Sequence, residues 1–413
     1  DEVKYLLLIL SSFFMRNISH FINVLFFALF FSNLIFSQDE KIKNIQIFGS
    51  NINTTKSIFF KDEIINVSFD ELSHKTNNYY YTIDHCDYRW NKSNIFKNEV
   101  IQGYDDLRIS DYKKSFNTLE KFTNYSFSFP NGNFKIKLSG NFLLTVRDSS
   151  QNIIFQRKLI ILEKTNPGII DVFRAKGFDK RNSYQNLKIR FRCIDCIFDN
   201  SSEYKLVVFQ NNNLNNYLLI NKTTLKTSKE MIYDNVLFEA GDEYLSFDTK
   251  NIIGTNNEIN KVIANEIYST ILYKDVESSS YTYRPDINGG FITNSLSQDN
   301  ILESDYTRVN FFLETQINQN YDIYIVGDFN DHEINEMYKL KKTENNLYKC
   351  DFKLKQGYYN YKYVAIKNGV IKNLSNFWQT ENNYSAFLYR KKASDRYYKI
   401  VGYSKKNSEK IVN

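Results

Sequence analysis

The stretch YYYTIDHCDYRW, residues 79–90, decides how the rest of the chain is read. It sets His85, Cys86 and Asp87 side by side, residue types that enzymes use as base, nucleophile and orienting acid. The aromatic and β-branched residues ahead of them predict a β-strand, in which successive side chains point to opposite faces. Cys86 then faces away from both His85 and Asp87, and the three cannot act as a local triad. A catalytic Cys usually finds its His far along the chain, yet the sequence holds only four His, one of them (His20) in a segment expected to be removed. The stretch reads as structural, and no catalytic residue is assigned.

Composition points the same way. The chain has 413 residues, long enough for several domains with their own cores. Its 34 Phe and 31 Tyr suit pleated, half-buried surfaces, where flat rings pack well. With only 3 Pro and 14 Gly, the turns must fall largely to Asn and Asp, which tolerate the left-handed region. A genome rich in A and T would also raise Asn and Lys with no functional cause. The net charge of +6 comes from 53 basic and 47 acidic residues with interspersed signs, which describes a solvated surface rather than a nucleic-acid footprint. The most basic run, YRKKASDRYYK at 389–399, is broken by Asp395 and reads as an edge guarded against stray pairing.

Residues 15–38 carry Arg16, an apolar core from Phe21 to Phe31 and a small Ser37 before Gln38, the pattern of a secretory signal peptide starting at Met15. Residues 1–14 are expected to be a non-native upstream extension. No later run approaches the roughly 18 apolar residues of a membrane span, so the expected mature product is exported and does not insert in the membrane. Cys86, Cys193, Cys196 and Cys350 can oxidise in such a compartment. CIDC at 193–196 follows a strand pattern instead of opening a helix, so a local disulfide or free thiols are expected rather than thioredoxin chemistry. No second CxxC completes a zinc site, and neither metal nor cofactor is expected.

Short strands with period-two alternation, such as FKIKL at 134–138, recur along the chain with turns such as PNGN at 130–133 between them. The fold expected is all-β, with tandem β-sandwich domains of immunoglobulin or fibronectin type. The boundaries read are 39–165, 166–296 and 297–403, with a polar tail at 404–413; NPG at 166–168 marks the first break.

The third unit resembles an early-set glycogen-binding module through YIVGDFND (324–331), Leu340 and LKQGYYNYKYVAIKNG (354–369). Sugar-binding members usually continue with Trp after such a turn, whereas this chain has His332, so the flat platform for a glucose ring is missing. A wider resemblance runs from about residue 45 to 403. It rests on YYYTIDHCDYRWNKS, GYDDLRISDYKKSFNTLEKFTNYSFSFPN, KLSGNFLLTV, VVFQNNNLNNY, GDEYLSFD, YTYRPDINGGF, DYTRVNFFL and FWQTENNYSAFLYR. These are together similar to the plug proteins of the type IX secretion system of Bacteroidota. Leu214 departs from the aromatic residue common after QNN in that family.

The resemblance implies a non-enzymatic periplasmic protein at the inner side of the outer membrane, monomeric when free. Its partner would be the large outer-membrane barrel translocon, whose periplasmic mouth it covers until cargo arrives; a periplasmic glycan-binding accessory protein is the alternative. Candidate partner contacts are the loop residues Tyr104, Asp105 and Asp106 and then Arg284, Pro285 and Asp286.

Overall fold

The computed structural model describes residues 41–413 apart from 51–54, 164, 194–196, 318–319, 345, 410 and 412–413. The expected upstream extension and signal peptide, residues 1–38, lie outside the described residues. Strands dominate, and the one α-helix among the described residues is the single turn Lys97–Val100. The all-β class read from the alternation is what the chain adopts. No helix there is long and apolar enough to cross a membrane.

The first sandwich packs two sheets face to face. One runs Ile42–Phe48, Ile65–Glu71, Thr123–Phe129, Asp111–Lys114; the other runs Ile58–Phe60, Ile153–Leu162, Gly140–Asp148, Tyr79–Cys86, Leu107–Ile109. Tyr79–Cys86 is a central strand, paired with Gly140–Asp148 from Tyr79 opposite Asp148 to Cys86 opposite Asn141. Its inward side chains Tyr79, Tyr81 and Ile83 are buried beside Phe69, Tyr125 and Phe142. Tyr125 stacks on Phe69 at 5.3 Å between centroids and meets Tyr79 edge-on at 4.9 Å. Such pairs add about 0.5–1.5 kcal/mol beyond the burial of their area.

The second sandwich is a single eight-stranded sheet, ordered Tyr217–Ile220, Tyr204–Gln210, Asn383–Arg390, Lys399–Asn407, Asn166–Arg174, Tyr184–Arg192, Glu230–Glu239, Leu225–Lys226. Its two halves are joined into one sheet by a short parallel pairing, Asn166 opposite Gly402 and Pro167 opposite Tyr403. Residues of both halves share one core, Ile170, Leu187 and Phe191 with Leu206, Tyr384 and Leu388. Close approach at the join needs glycine, because a Cβ on Gly402 would lie 2.6 Å from the Phe191 ring. Pro167 stands next to the strand's first residue, where its missing N–H costs little.

The third sandwich is built on the long strand Gly357–Lys367, flanked by Leu245–Asp248, Phe291–Thr293, Asp322–Val326 and Val370–Asn373. The facing sheet is Ile259–Ala264, Tyr268–Leu272, Tyr306–Glu314, Leu347–Lys355, Lys341–Glu344. Tyr359, Tyr361 and Tyr363 fill the core, and the last two both donate to one Asp275 oxygen, at 2.9 and 2.7 Å.

Strand pairing departs from the boundaries at 296/297 and 403. The strands from Leu245 to Thr293 join the third sandwich, while Asn383–Arg390 and Lys399–Asn407 return to complete the second. The expected polar tail begins inside the last strand, and Ser408 beyond it is buried, its backbone N–H donating to the Asn382 carbonyl at 2.9 Å. The turn work falls as expected: among the described residues, the non-glycine residues with positive φ are all Asn or Asp apart from Trp90, Gln151 and His332.

Candidate functional site

The three residues of the opening stretch turn to separate tasks. His85 is 2% exposed; its Nδ1 lies 2.9 Å from Ser93 Oγ and its ring meets Phe142 and Tyr397 edge-on. Burial drives its pKa down to about 4, against the raising effects of the Ser139 carbonyl and Asp87, so it stays neutral in the fold. Asp87 accepts from the backbone N–H groups of Arg89 at 2.8 Å and Asn91 at 3.0 Å, closing the turn after the strand. Cys86 is buried and free, its thiol pushed up to about 12, chiefly by burial and then by Asp84 and Asp87. Cys350 is also free and buried, and burial raises it to about 12 as well, whereas Cys193 is disulfide-bonded.

These thiols carry a direct prediction. At pH 8 the native protein should leave Cys86 and Cys350 unmodified by a thiol-reactive dye such as DTNB, and both should react once guanidinium unfolds the chain. Stoichiometric modification of the native protein would contradict this placement.

Side chains from distant parts of the sequence converge at the seams between sandwiches. Between the first and third, Asp70 and Lys355 form an ion pair at 2.7 Å with both side chains fully buried. Asp70 also accepts from Tyr306 Oη and from Asn124 Nδ2, each at 2.7 Å, and the Lys355 ammonium sits 4.0 Å from the centre of the Phe122 ring. Burial lowers the Lys355 pKa, and Asp70 opposes that shift. Around this pair, Asp305 accepts from the Glu120 N–H at 3.1 Å and Lys353 pairs with Glu120 at 2.8 Å.

The seam between the first and second sandwiches is apolar at its centre, where Ile160 and Leu162 pack with Val207, Phe209, Phe387 and Tyr389. Leu214, the position that departs from the resembled family, is buried in this cluster. Tyr389 Oη donates to Asn141 Oδ1 at 2.6 Å, which satisfies both groups without water. At the rim Arg396 makes two bonds to the Glu99 carboxylate, at 2.8 and 3.0 Å.

The seam between the second and third gathers carboxylates. Glu243 is 3% exposed; its Oε1 accepts from Tyr281 Oη at 2.7 Å and from the Glu381 N–H at 3.1 Å, while Oε2 has no partner. Burial lifts its pKa to about 7, helped by Asp286 and Glu381 and resisted by the two hydrogen bonds. Among the described residues no group of three or more His, Cys, Asp or Glu is arranged to hold a metal.

The six candidate contact residues fall in two places that no hydrogen bond or ion pair described here connects. Tyr104 is 71% exposed and only its backbone is engaged, its N–H donating to the Asn133 carbonyl at 3.0 Å. Asp105 is held by Thr82 at 2.5 Å and Lys97 at 3.0 Å, and Asp106 is an exposed turn residue at φ 59°. Arg284 leans on Asp242 at 3.8 Å and Pro285 is exposed. Asp286 accepts from the N–H groups of Tyr244 at 2.9 Å and Asn288 at 2.6 Å, so it caps the second–third seam from within. Sequence reasoning missed Phe178, 96% exposed. The signal was a lone large apolar residue in the turn AKGFDKRN, residues 175–182.

At the turn of the third sandwich, His332 points inward, its Nε2 2.9 Å from Asp328 Oδ1. Phe329 stacks towards Phe352 and meets Tyr338 edge-on, so neither ring offers a flat outer platform.

No curated protein matches the sequence. A solved structure described as a hypothetical protein from Parabacteroides merdae ATCC 43184 superposes with a TM-score of 0.85 at 23% identity, over 90% of this chain and 98% of that chain. That likeness establishes the shared fold and nothing about activity. Another, described as the BSP domain of a biofilm associated protein, reaches a TM-score of only 0.18 at 8% identity, over 90% of this chain and 60% of that one, and carries no argument. The sequence itself gives a functional pointer: residues 42–163, which contain every strand of the first sandwich, match the family described as Type 9 secretion system plug protein 1st domain.

Proposed function

We propose that the chain is an exported, non-enzymatic plug that reversibly covers the periplasmic mouth of the outer-membrane barrel translocon of type IX secretion. The observation that carries this reading is the family match over residues 42–163. The seams support it physically. Each sandwich contacts the other two, through Asp70–Lys355, Tyr389–Asn141 and Asn373–Glu239, so the three form a closed triangle rather than beads on a string. A stopper for a wide pore must hold its shape when pushed, and a closed triangle resists the hinge motions that a linear array of domains permits. Release on cargo arrival then needs only modest differential binding between the covered and open states.

Exposed aromatic side chains such as Tyr104 can anchor such an interface, since tyrosine offers a broad apolar face and a polar tip. The free protein is a monomer on this reading. The test is a pull-down with tagged chain from detergent-solubilised outer membrane of the source bacterium. A very large barrel protein should copurify, and its absence under conditions that preserve the barrel defeats the proposal. Glycan binding is disfavoured by the inward turn of His332 and Phe329; saturable binding of a glucan in calorimetry would restore it.

A further inference from the structure

The Phe178 turn borders an open groove on the outer face of the second sandwich, about 740 Å³ in volume. Ligand sites in proteins run from roughly 300 to 1,000 Å³. Its floor is Phe173, Asn186 and Lys188 from adjacent strands, and its wall is Lys176, Phe178 and Arg181 from the turn. Two observations bear on what could fill it. The charge is one-sided: Arg174, Lys176, Arg181 and Lys188 line it against the single carboxylate of Asp234, which lies 3.7 Å from Lys188. Arg174 is locked in place over the Trp378 ring at 4.5 Å and donates to the Arg181 carbonyl and to Asn182, so it holds the turn rather than reaching for solvent.

The geometry points to an acidic peptide segment of a partner protein as the occupant. Carboxylates answer Lys176 and Arg181, and an apolar side chain answers the rings of Phe173 and Phe178. An anionic membrane surface matches the charge, but a single aromatic with a few cations gives only marginal membrane attachment, about 1 kcal/mol for each basic residue near the surface. This inference stands apart from the plug reading, because the groove lies on the second sandwich, outside the matched residues 42–163.

Fluorescence anisotropy on the full chain tests it. The probes are a labelled peptide of about eight residues alternating Glu with Gly and Leu, long enough to run as one extended strand, and the same peptide with Lys for Glu. Vesicles of phosphatidylglycerol or phosphatidylcholine serve as the membrane arm. The acidic peptide should bind saturably and the basic one should not. The double variant K176E/R181E should weaken binding at least about tenfold, and F178A several-fold, with both proteins folded because the sites are exposed. Equal binding of both peptides, no binding of the acidic one at low salt, or indifference to both variants overturns the proposal. So does binding confined to phosphatidylglycerol vesicles and lost in F178A, which would assign the turn to a membrane.

Discussion

Replacing Lys355 with methionine is expected to destabilise the protein by about 3–5 kcal/mol, because it strands the Asp70 carboxylate in a fully buried seam. The side chain removed also packs on Phe122, but methionine retains most of that apolar contact. The large term is the orphaned charge. The double variant D70N/K355M should therefore recover at least about 1 kcal/mol of the loss, since a neutral amide keeps partners in Tyr306 and Asn124 while shedding the charge. The pair also joins the first sandwich to the third, so the single variant should broaden denaturant unfolding or split it in two as the sandwiches uncouple. A loss below about 1 kcal/mol with one sharp transition would mean that the seam does not depend on this pair.

The second large effect concerns pH. Glu243 has its pKa raised from 4.5 to about 7, chiefly by burial. A carboxyl that binds its proton more tightly when folded contributes stability that is fully present below pH 4.5 and is lost as pH rises through 7. The gap, 7 − 4.5 = 2.5, corresponds at roughly 1.4 kcal/mol per unit to about 3 kcal/mol. E243Q stays neutral throughout, keeps an oxygen for Tyr281 and the Glu381 N–H, and replaces the unpartnered Oε2. Its stability relative to the parent should thus be close to zero at pH 4 and grow to a gain of about 3 kcal/mol by pH 8, read from denaturation midpoints. Taking the difference removes contributions from His85 and other titrating groups common to both proteins. A difference that is flat with pH would show that Glu243 is not held in this buried, acid-lined seam.

The strands were legible in the sequence because alternation is a local property. Tyr79–Cys86 could be read as a strand from its own letters, and that alone separates His85 from Cys86. Which sheet a strand joins is not local. Asn383–Arg390 has its six middle residues buried, with Tyr384, Ala386 and Leu388 facing the second sandwich's own core and Phe387 and Tyr389 facing the first sandwich. Nothing in its letters says that it pairs with Tyr204–Gln210, far earlier in the chain. The same limit governs the candidate contacts. Arg284, Pro285 and Asp286 carry turn chemistry, and turn chemistry says that a loop forms without saying what lies beneath it. Asp286 bonds to the Tyr244 N–H below it. Phe178 was overlooked for the opposite reason, because a Phe in a chain with 34 of them reads as core until the structure shows it bare.

A planar-bilayer recording puts the central claim to its most direct test. The barrel translocon is reconstituted alone, and the purified chain is then added to the periplasmic side. If the locked triangle of sandwiches stoppers the pore, the large open conductance falls in a saturable way and returns when the chain is washed out. An unchanged conductance at saturating chain, with the barrel active and correctly oriented, would contradict the account.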